Sequence, residues 1–303
     1  MPRTNMALYS HKDYKDKPFL ATAAIGSMLG SGCMNLFIGA GVSKGFGLPE
    51  WVVLIARILG KGDDTTFVES LRGKSDKELA KMVDSLDQEA SKNQFLKLVH
   101  EALYRDVDKN LISQLSKSPL LLSVTALLTG SCRGRIDRVF TYNYDDLIEQ
   151  YLKLLGHAIC RRVSPDDFST KADVEINHVH GFLPQNWKPN GNPTELVLSE
   201  KSYRNRRAGI DEGWSSYVEH CLYSKAGLFI GLSGDDSVIL DVLKRAQKNC
   251  HRTVDYSGYW LLTPDAYDRN ESSIVEVGMC PVRISKEQLP EFVFKVCQDA
   301  LNV

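Results

Sequence analysis

The chain has 303 residues, 43% of them hydrophobic and 25% charged, with a formal net charge of -1. This is an ordinary globular composition with ample material for a core, and it excludes a global basic signature for nucleic acid. The apolar stretches are short; even residues 120–128 are too brief to span a bilayer.

Strands alternating with helices predict an α/β fold with a parallel sheet covered on both faces, as one domain over 1–303 with a helical insertion at about 60–132. The first helix is expected over residues 16–30, with Pro18 in its first turn and Gly30 or Gly32 at its end. A buried strand follows at 35–38 and a helix from near Pro49. From about 65 to 128 the pattern is helical throughout. Phe95, Leu98, Val99, Ala102 and Leu103 share one face. Leu111 and Leu115 continue it, and Pro119 is a break. Strands resume at 138–141, and a helix follows with Leu147, Ile148, Tyr151, Leu152 and Leu155 as its apolar face. Short strands are expected at 159–163, 176–179 and 196–198, and residues 184–193 read as a surface loop. A helix at 214–222 leads to a strand at 227–230, a helix at 236–246 and strands at 259–263 and 281–284. A helix at 288–301 closes the chain.

The stretch Gly39-Ala40-Gly41-Val42-Ser43 stands at the end of the first strand. Closely spaced glycines between a strand and a helix let bare backbone N–H groups approach a phosphate. The full G-x-G-x-x-G fingerprint is not met, because Lys44 stands where the third glycine would be. A tight strand-to-helix turn is the plain alternative. The same residues fit G-x-S-x-G, a hydrolase nucleophile elbow with His180 as base. That reading leaves no upstream strand and loop for an oxyanion hole.

Three more clusters sit at ends of expected strands, where open α/β sheets place ligands. In Thr141-Tyr142-Asn143-Tyr144-Asp145-Asp146, one aspartate is expected to cap the next helix, and the other, with Asn143, to face the site. In His178-Val179-His180-Gly181 the two-residue spacing puts both rings on one strand face. Gly181 leaves His180 open to a ligand, and imidazole is suited to proton transfer near neutral pH. Gly231-Leu232-Ser233-Gly234-Asp235-Asp236 is a second candidate wall for a nucleotide, or an ordinary N-capped helix. His11, His100, His157, His220 and His251 lack such settings. The seven cysteines are scattered and never form C-x-x-C, which argues against a disulfide framework, a zinc ribbon or any other metal site built on them. Residues 1–17 are polar where a signal peptide would be apolar, so a cytoplasmic protein is expected.

Taken in order, these four clusters resemble the sirtuin (silent information regulator) family, specifically its bacterial sirtuin-like branch associated with antiphage defence. The resemblance extends from Asn35 to Ile284 and includes the late strands around Tyr259 and Val282. It implies a Rossmann-like sheet and NAD as substrate. Phosphate binding would fall on Gly39, Ala40, Gly41 and Ser43. Asn143 and Asp145 would hold the ribose and nicotinamide side, His180 would be the catalytic base, and Ser233 would line the adenosine side. Deacylating sirtuins carry two C-x-x-C pairs and read T-Q-N-x-D. Here only Cys221 lies between His180 and Ser233, and position 142 is Tyr.

What the resemblance then implies is an NAD glycohydrolase effector that depletes NAD in abortive infection. A zinc-free deacylase and a non-catalytic NAD or ADP-ribose sensor are the alternatives. A homo-oligomer is expected, with a separate trigger such as a HerA-like ATPase and no direct contact with nucleic acid or membrane.

Overall fold

Short, mostly apolar and buried runs become the central strands of a seven-stranded sheet, with two more polar strands, Ile159–Arg162 and Val174–His178, at one edge. The computed structural model describes residues 10–108, 114–130, 136, 138–189, 196–202, 212–249 and 256–302. The strands are β1 Met34–Ile38, β2 Arg138–Thr141, β3 Ile159–Arg162, β4 Val174–His178, β5 Ala226–Ile230, β6 Gly258–Leu262 and β7 Cys280–Arg283. Their order is β3-β4-β2-β1-β5-β6-β7, and every neighbouring pair is parallel. The fold is therefore α/β and Rossmann-like.

Alternate residues of each strand feed two cores. Leu36, Ile38, Val139, Ile176, Leu228 and Ile230 face the helices Ala21–Gly30, Trp51–Ile58, Pro119–Thr129, Leu147–Leu154 and Leu289–Asp299. On the other face, Phe140, Phe37, Phe229 and Trp260 stack in register across β2, β1, β5 and β6, with ring centroids 4.9, 4.3 and 4.4 Å apart. The helices Glu212–Ser224, Ser237–Asn249 and Pro264–Glu276 cover that face. Cross-strand aromatic pairs of this kind fix register as well as burying area.

Between β1 and β2 lie the helices Thr65–Leu71, Asp76–Glu89, Lys92–Leu103 and Pro119–Thr129. Each starts on a local signal: Asp64 accepts from Phe67 N, Ser75 and Ser91 form capping boxes with Glu78 and Gln94, and Ser118 accepts from Leu121 N. Pro119 opens its helix at a position that needs no N–H.

Several expectations are corrected. Residues 196–198 form no strand; Val197 N donates to His180 O and Val197 O accepts from the Tyr144 hydroxyl. The first helix begins as a 3-10 turn at Pro18, and a separate short helix, His11–Asp16, precedes it. The helix Pro264–Glu276 was not anticipated. Leu155 is exposed rather than part of an apolar face. Leu111, Cys132, Cys250, His251 and the tail of the loop at 184–193 lie outside the described residues.

The chain steps from β1 to β2 on one side and returns to β5 on the other. The carboxyl ends of β1 and β5 therefore flank a topological switch point, where open α/β sheets form their ligand crevice.

Candidate functional site

The loops after β1 and β5 meet at backbone distance. Gly39 N donates to Ile230 O at 3.0 Å, and Gly41 N to Gly231 O at 2.9 Å. A Cβ on Gly39 would lie 2.5 Å from Gly231 O, and one on Gly41 would lie 2.8 Å from Gly231 Cα. Gly231 has φ +75°, and a Cβ there would meet Val42 N at 2.8 Å. The glycines are thus required by loop-to-loop contact, with their N–H groups already spent on carbonyls. Val42 and Ser43 also donate within the loop, to Gly39 O and Ala40 O. Two 3-10 turns, Ala40–Val42 and Lys44–Phe46, intervene before the helix Trp51–Ile58, so no helix N-terminus follows the glycines directly.

Ser43, Asn143 and Asp145 come together although a hundred residues separate them in sequence. Asn143 Nδ2 donates to Ser43 Oγ at 3.1 Å, and Ser43 Oγ lies 3.3 Å from Asp145 Oδ1, to which it donates. Asp145 Oδ1 also accepts from Leu147 N at 3.0 Å, so this one residue both caps the helix Leu147–Leu154 and faces the site. Burial pushes the Asp145 carboxyl up to about 6, against the Leu147 N–H and the Ser43 hydroxyl, which favour the carboxylate. Asp146 stands at the N-cap of the helix Leu147–Leu154, but its side chain makes no capping bond. Its Oδ1 accepts from Gln150 Nε2 and from Gln185 N, tying down the loop that follows His180. Ser43 engages Asn143 and Asp145, not a histidine, so the nucleophile-elbow reading lacks its base–serine contact.

The two histidines do not share a face. β4 ends at His178, and the chain turns through Val179 and His180 to Gly181, at φ +98°. His178 is fully buried, with Nε2 at 2.7 Å from Glu149 Oε1 and its ring against Phe182. Glu149 also accepts from Arg161 Nε at 3.0 Å. Burial pushes the Glu149 carboxyl up, but the His178 ring and the Arg161 guanidinium more than reverse this and hold it below its ordinary value. His180 instead packs its ring edge-on to Tyr142, with centroids 4.7 Å apart, and Nε2 lies 3.5 Å from Asp236 Oδ2.

Ser233 is exposed on the loop after β5, its carbonyl accepting from Asn270 Nδ2. Asp236 is the side chain beside His180 that sequence reasoning missed. An aspartate before a helix reads as a cap, and only the fold brings it to His180. The helix Asp76–Glu89 packs against segments that adjoin this cluster. Ala80, Val197 and Val238 form a small buried cluster with Trp51 beside it, and these neighbours follow the His180, Asp236 and Ser43 segments in sequence. Ser43 is 1% exposed, Asn143 8%, Asp145 6% and His180 4%. A cleft of about 810 Å³ lined by Phe19, Pro119, Leu120 and Phe294 shares no residue with this cluster. Among the described residues, no group of three or more His, Cys, Asp or Glu side chains is arranged to hold a metal ion. No helix among them is long and apolar enough to cross a membrane.

Residues 137–279 match the family model of the SIR2-like domain. The matched stretch runs from the start of β2 past β6, and holds Asn143, Asp145, His180, Ser233 and Asp236. The glycine loop after β1 precedes it. Over this stretch the chain is similar to SIR2-like domains, which are often NAD-dependent enzymes. No curated protein matches the chain.

Proposed function

We propose that this chain is an NAD glycohydrolase, cleaving the bond between nicotinamide and ribose and transferring the ribose to water. The observation that carries the reading is the Asn143–Ser43–Asp145 network at the carboxyl ends of β1 and β2, with His180 at the end of β4 beside it. Polar groups fixed by the fold are suited to a reaction in which positive charge develops on a sugar ring. As the C1′–N bond breaks, its electron pair passes to the pyridinium nitrogen and neutral nicotinamide leaves. Asp145 and the Asn143 amide oxygen would face the oxocarbenium charge on the ribose. His180 would take the proton lost by the attacking water or by a ribose hydroxyl, leaving ADP-ribose. Phosphate contact by the loop after β1 would fall on groups other than the Gly39 and Gly41 amides. Ser233, exposed on the facing loop, would line the adenosine side.

In this reading the site is closed at rest. A dinucleotide cannot reach side chains less than a tenth exposed unless neighbouring segments move. That supports an enzyme held off until triggered, and the role we assign is NAD depletion in abortive antiphage defence. Assembly into a homo-oligomer, or a separate partner such as a HerA-like ATPase, would supply the trigger.

The test is incubation with NAD alone and with NAD plus an acyl-lysine peptide. Slow, basal release of nicotinamide without peptide is the expected result for the chain on its own. Release only with peptide would make the chain a deacylase, and binding without turnover would make it a sensor.

A further inference from the structure

The loop between β5 and the helix Ser237–Asn249 is anchored at nearly every residue. Gly231 O accepts from Gly41 N at 2.9 Å, Leu232 O from Trp260 Nε1 at 2.9 Å and Ser233 O from Asn270 Nδ2 at 2.9 Å. Asp235 Oδ1 accepts from the same Asn270 amide at 2.8 Å. Trp260 and Asn270 stand on β6 and on the helix Pro264–Glu276, both rigid elements. At the end of the loop, Asp236 Oδ1 accepts from Val238 N at 2.8 Å and Ile239 N at 3.3 Å, as a helix cap does. With one oxygen so held, the other is aimed by the backbone, and it lies 3.5 Å from His180 Nε2.

A cap needs only one of these oxygens and needs no charge. Asn and Ser satisfy the same N–H groups about as well as Asp. The second oxygen and the negative charge are therefore surplus to the helix, and both are directed at the one imidazole that stands beside the Asn143 network. The neighbour on the ring's other side is Tyr142, from the end of β2. The segment after the loop at 182–189 meets His180 through backbone, Val197 N donating to His180 O.

The geometry points to Asp236 as the positioning residue of His180. It holds the ring with Nε2 toward the carboxylate, and it stabilises the imidazolium once formed. A carboxylate behind an imidazole serves this purpose in other folds. At 3.5 Å the contact is an ion-pair approach and not yet a hydrogen bond; contacts of this kind are often long before substrate binds and tighten in the working complex. The inference rests on the NAD-cleaving reading for its consequence in rate, but not for the contact itself.

Two variants separate cap from charge: Asp236→Asn and Asp236→Ser. Both are expected to fold with nearly wild-type melting temperature and to bind NAD with unchanged affinity by calorimetry. The kcat for nicotinamide release should fall about tenfold or more in each, with KM little changed, because a base held in the wrong orientation loses part of the roughly 100-fold or greater gain it supplies. Histidine ¹⁵N spectra, with the His180 signals assigned by their loss in His180→Ala, should show the Nε2–H tautomer in wild type and lose that preference in Asp236→Asn. Wild-type kcat in both folded variants, or identical His180 spectra in wild type and Asp236→Asn, would overturn the assignment. A wild-type protein that releases no nicotinamide overturns the NAD-cleaving reading instead, and the ring spectra then decide the contact by themselves.

Discussion

Replacing His178 with alanine should damage the fold, whereas replacing His180 should leave the fold intact and remove turnover. His178 and Glu149 are both almost completely buried, at 0% and 1% exposure, and 2.7 Å apart. Removing one member of a buried pair costs about 3–5 kcal/mol, because the other charge stays out of water without its partner. Arg161, with a third of its side chain exposed, still reaches Glu149, which places the loss at the lower end, about 3 kcal/mol. At about 2 °C per kcal/mol for a large domain, the melting temperature should fall by roughly 6 °C. The pH dependence is an internal check. Glu149 is depressed in the folded state, so its contribution is present above the ordinary carboxylate value of 4.5 and lost as pH falls through the lower folded value. In the variant the buried carboxyl loses the ring that held it down. The gap between wild type and variant should therefore narrow in acid. Urea unfolding of both proteins at pH 7.5 and pH 4 measures this. A folded His178→Ala protein of wild-type stability that cannot cleave NAD would refute the reasoning and make His178 the catalytic ring.

Three further outcomes follow from the site. Asp145 ionises near 3.8 when unfolded and about 6 when folded, so stability is lost as pH rises between those values. Asp145→Asn should therefore gain up to about 3 kcal/mol at pH 8, the equivalent of that shift, while losing activity, and a destabilised variant by denaturant titration would contradict it. Gly41→Ala should lose both stability and activity, since its Cβ would sit 2.8 Å from Gly231 Cα; a wild-type melting curve would show that the two loops can part without cost. His180→Ala should retain NAD binding by calorimetry while turnover drops by about two to four powers of ten.

Much of the sheet was readable because strands buried on both faces appear as largely apolar runs, as in Ala226–Ile230 and, Asn35 apart, Met34–Ile38. β4 was harder. Its start was placed at residue 176, not 174, because Glu175 interrupts the run; that carboxylate is tolerated in the sheet by Arg162, Tyr217 and Ser169. Residues 196–198 were apolar for a different reason: Val197 packs with Ala80 and Val238, and Leu196 and Leu198 pack against the main core. The Pro264–Glu276 helix presents only a thin apolar stripe, Ala266, Tyr267 and Ile274, and so went unnoticed. Local order also brought out Asn143, Asp145 and His180, since each follows a strand. It could not reveal that Gly39 and Gly41 are packed against Gly231, that the histidine rings diverge where β4 ends, or that Asp236 reaches His180. Those depend on contacts between segments dozens to nearly two hundred residues apart.

The most direct measurement is chromatographic analysis of NAD incubated, without peptide, with wild-type protein and with Asn143→Ala under matched conditions. Nicotinamide and ADP-ribose should accumulate with wild type, and the Asn143→Ala rate should be lower by about a hundredfold or more, as for loss of one preorganised polar group. Equal NAD cleavage by the two proteins, or NAD left intact by wild type while an acyl-lysine peptide is deacylated in a parallel reaction, would contradict the account.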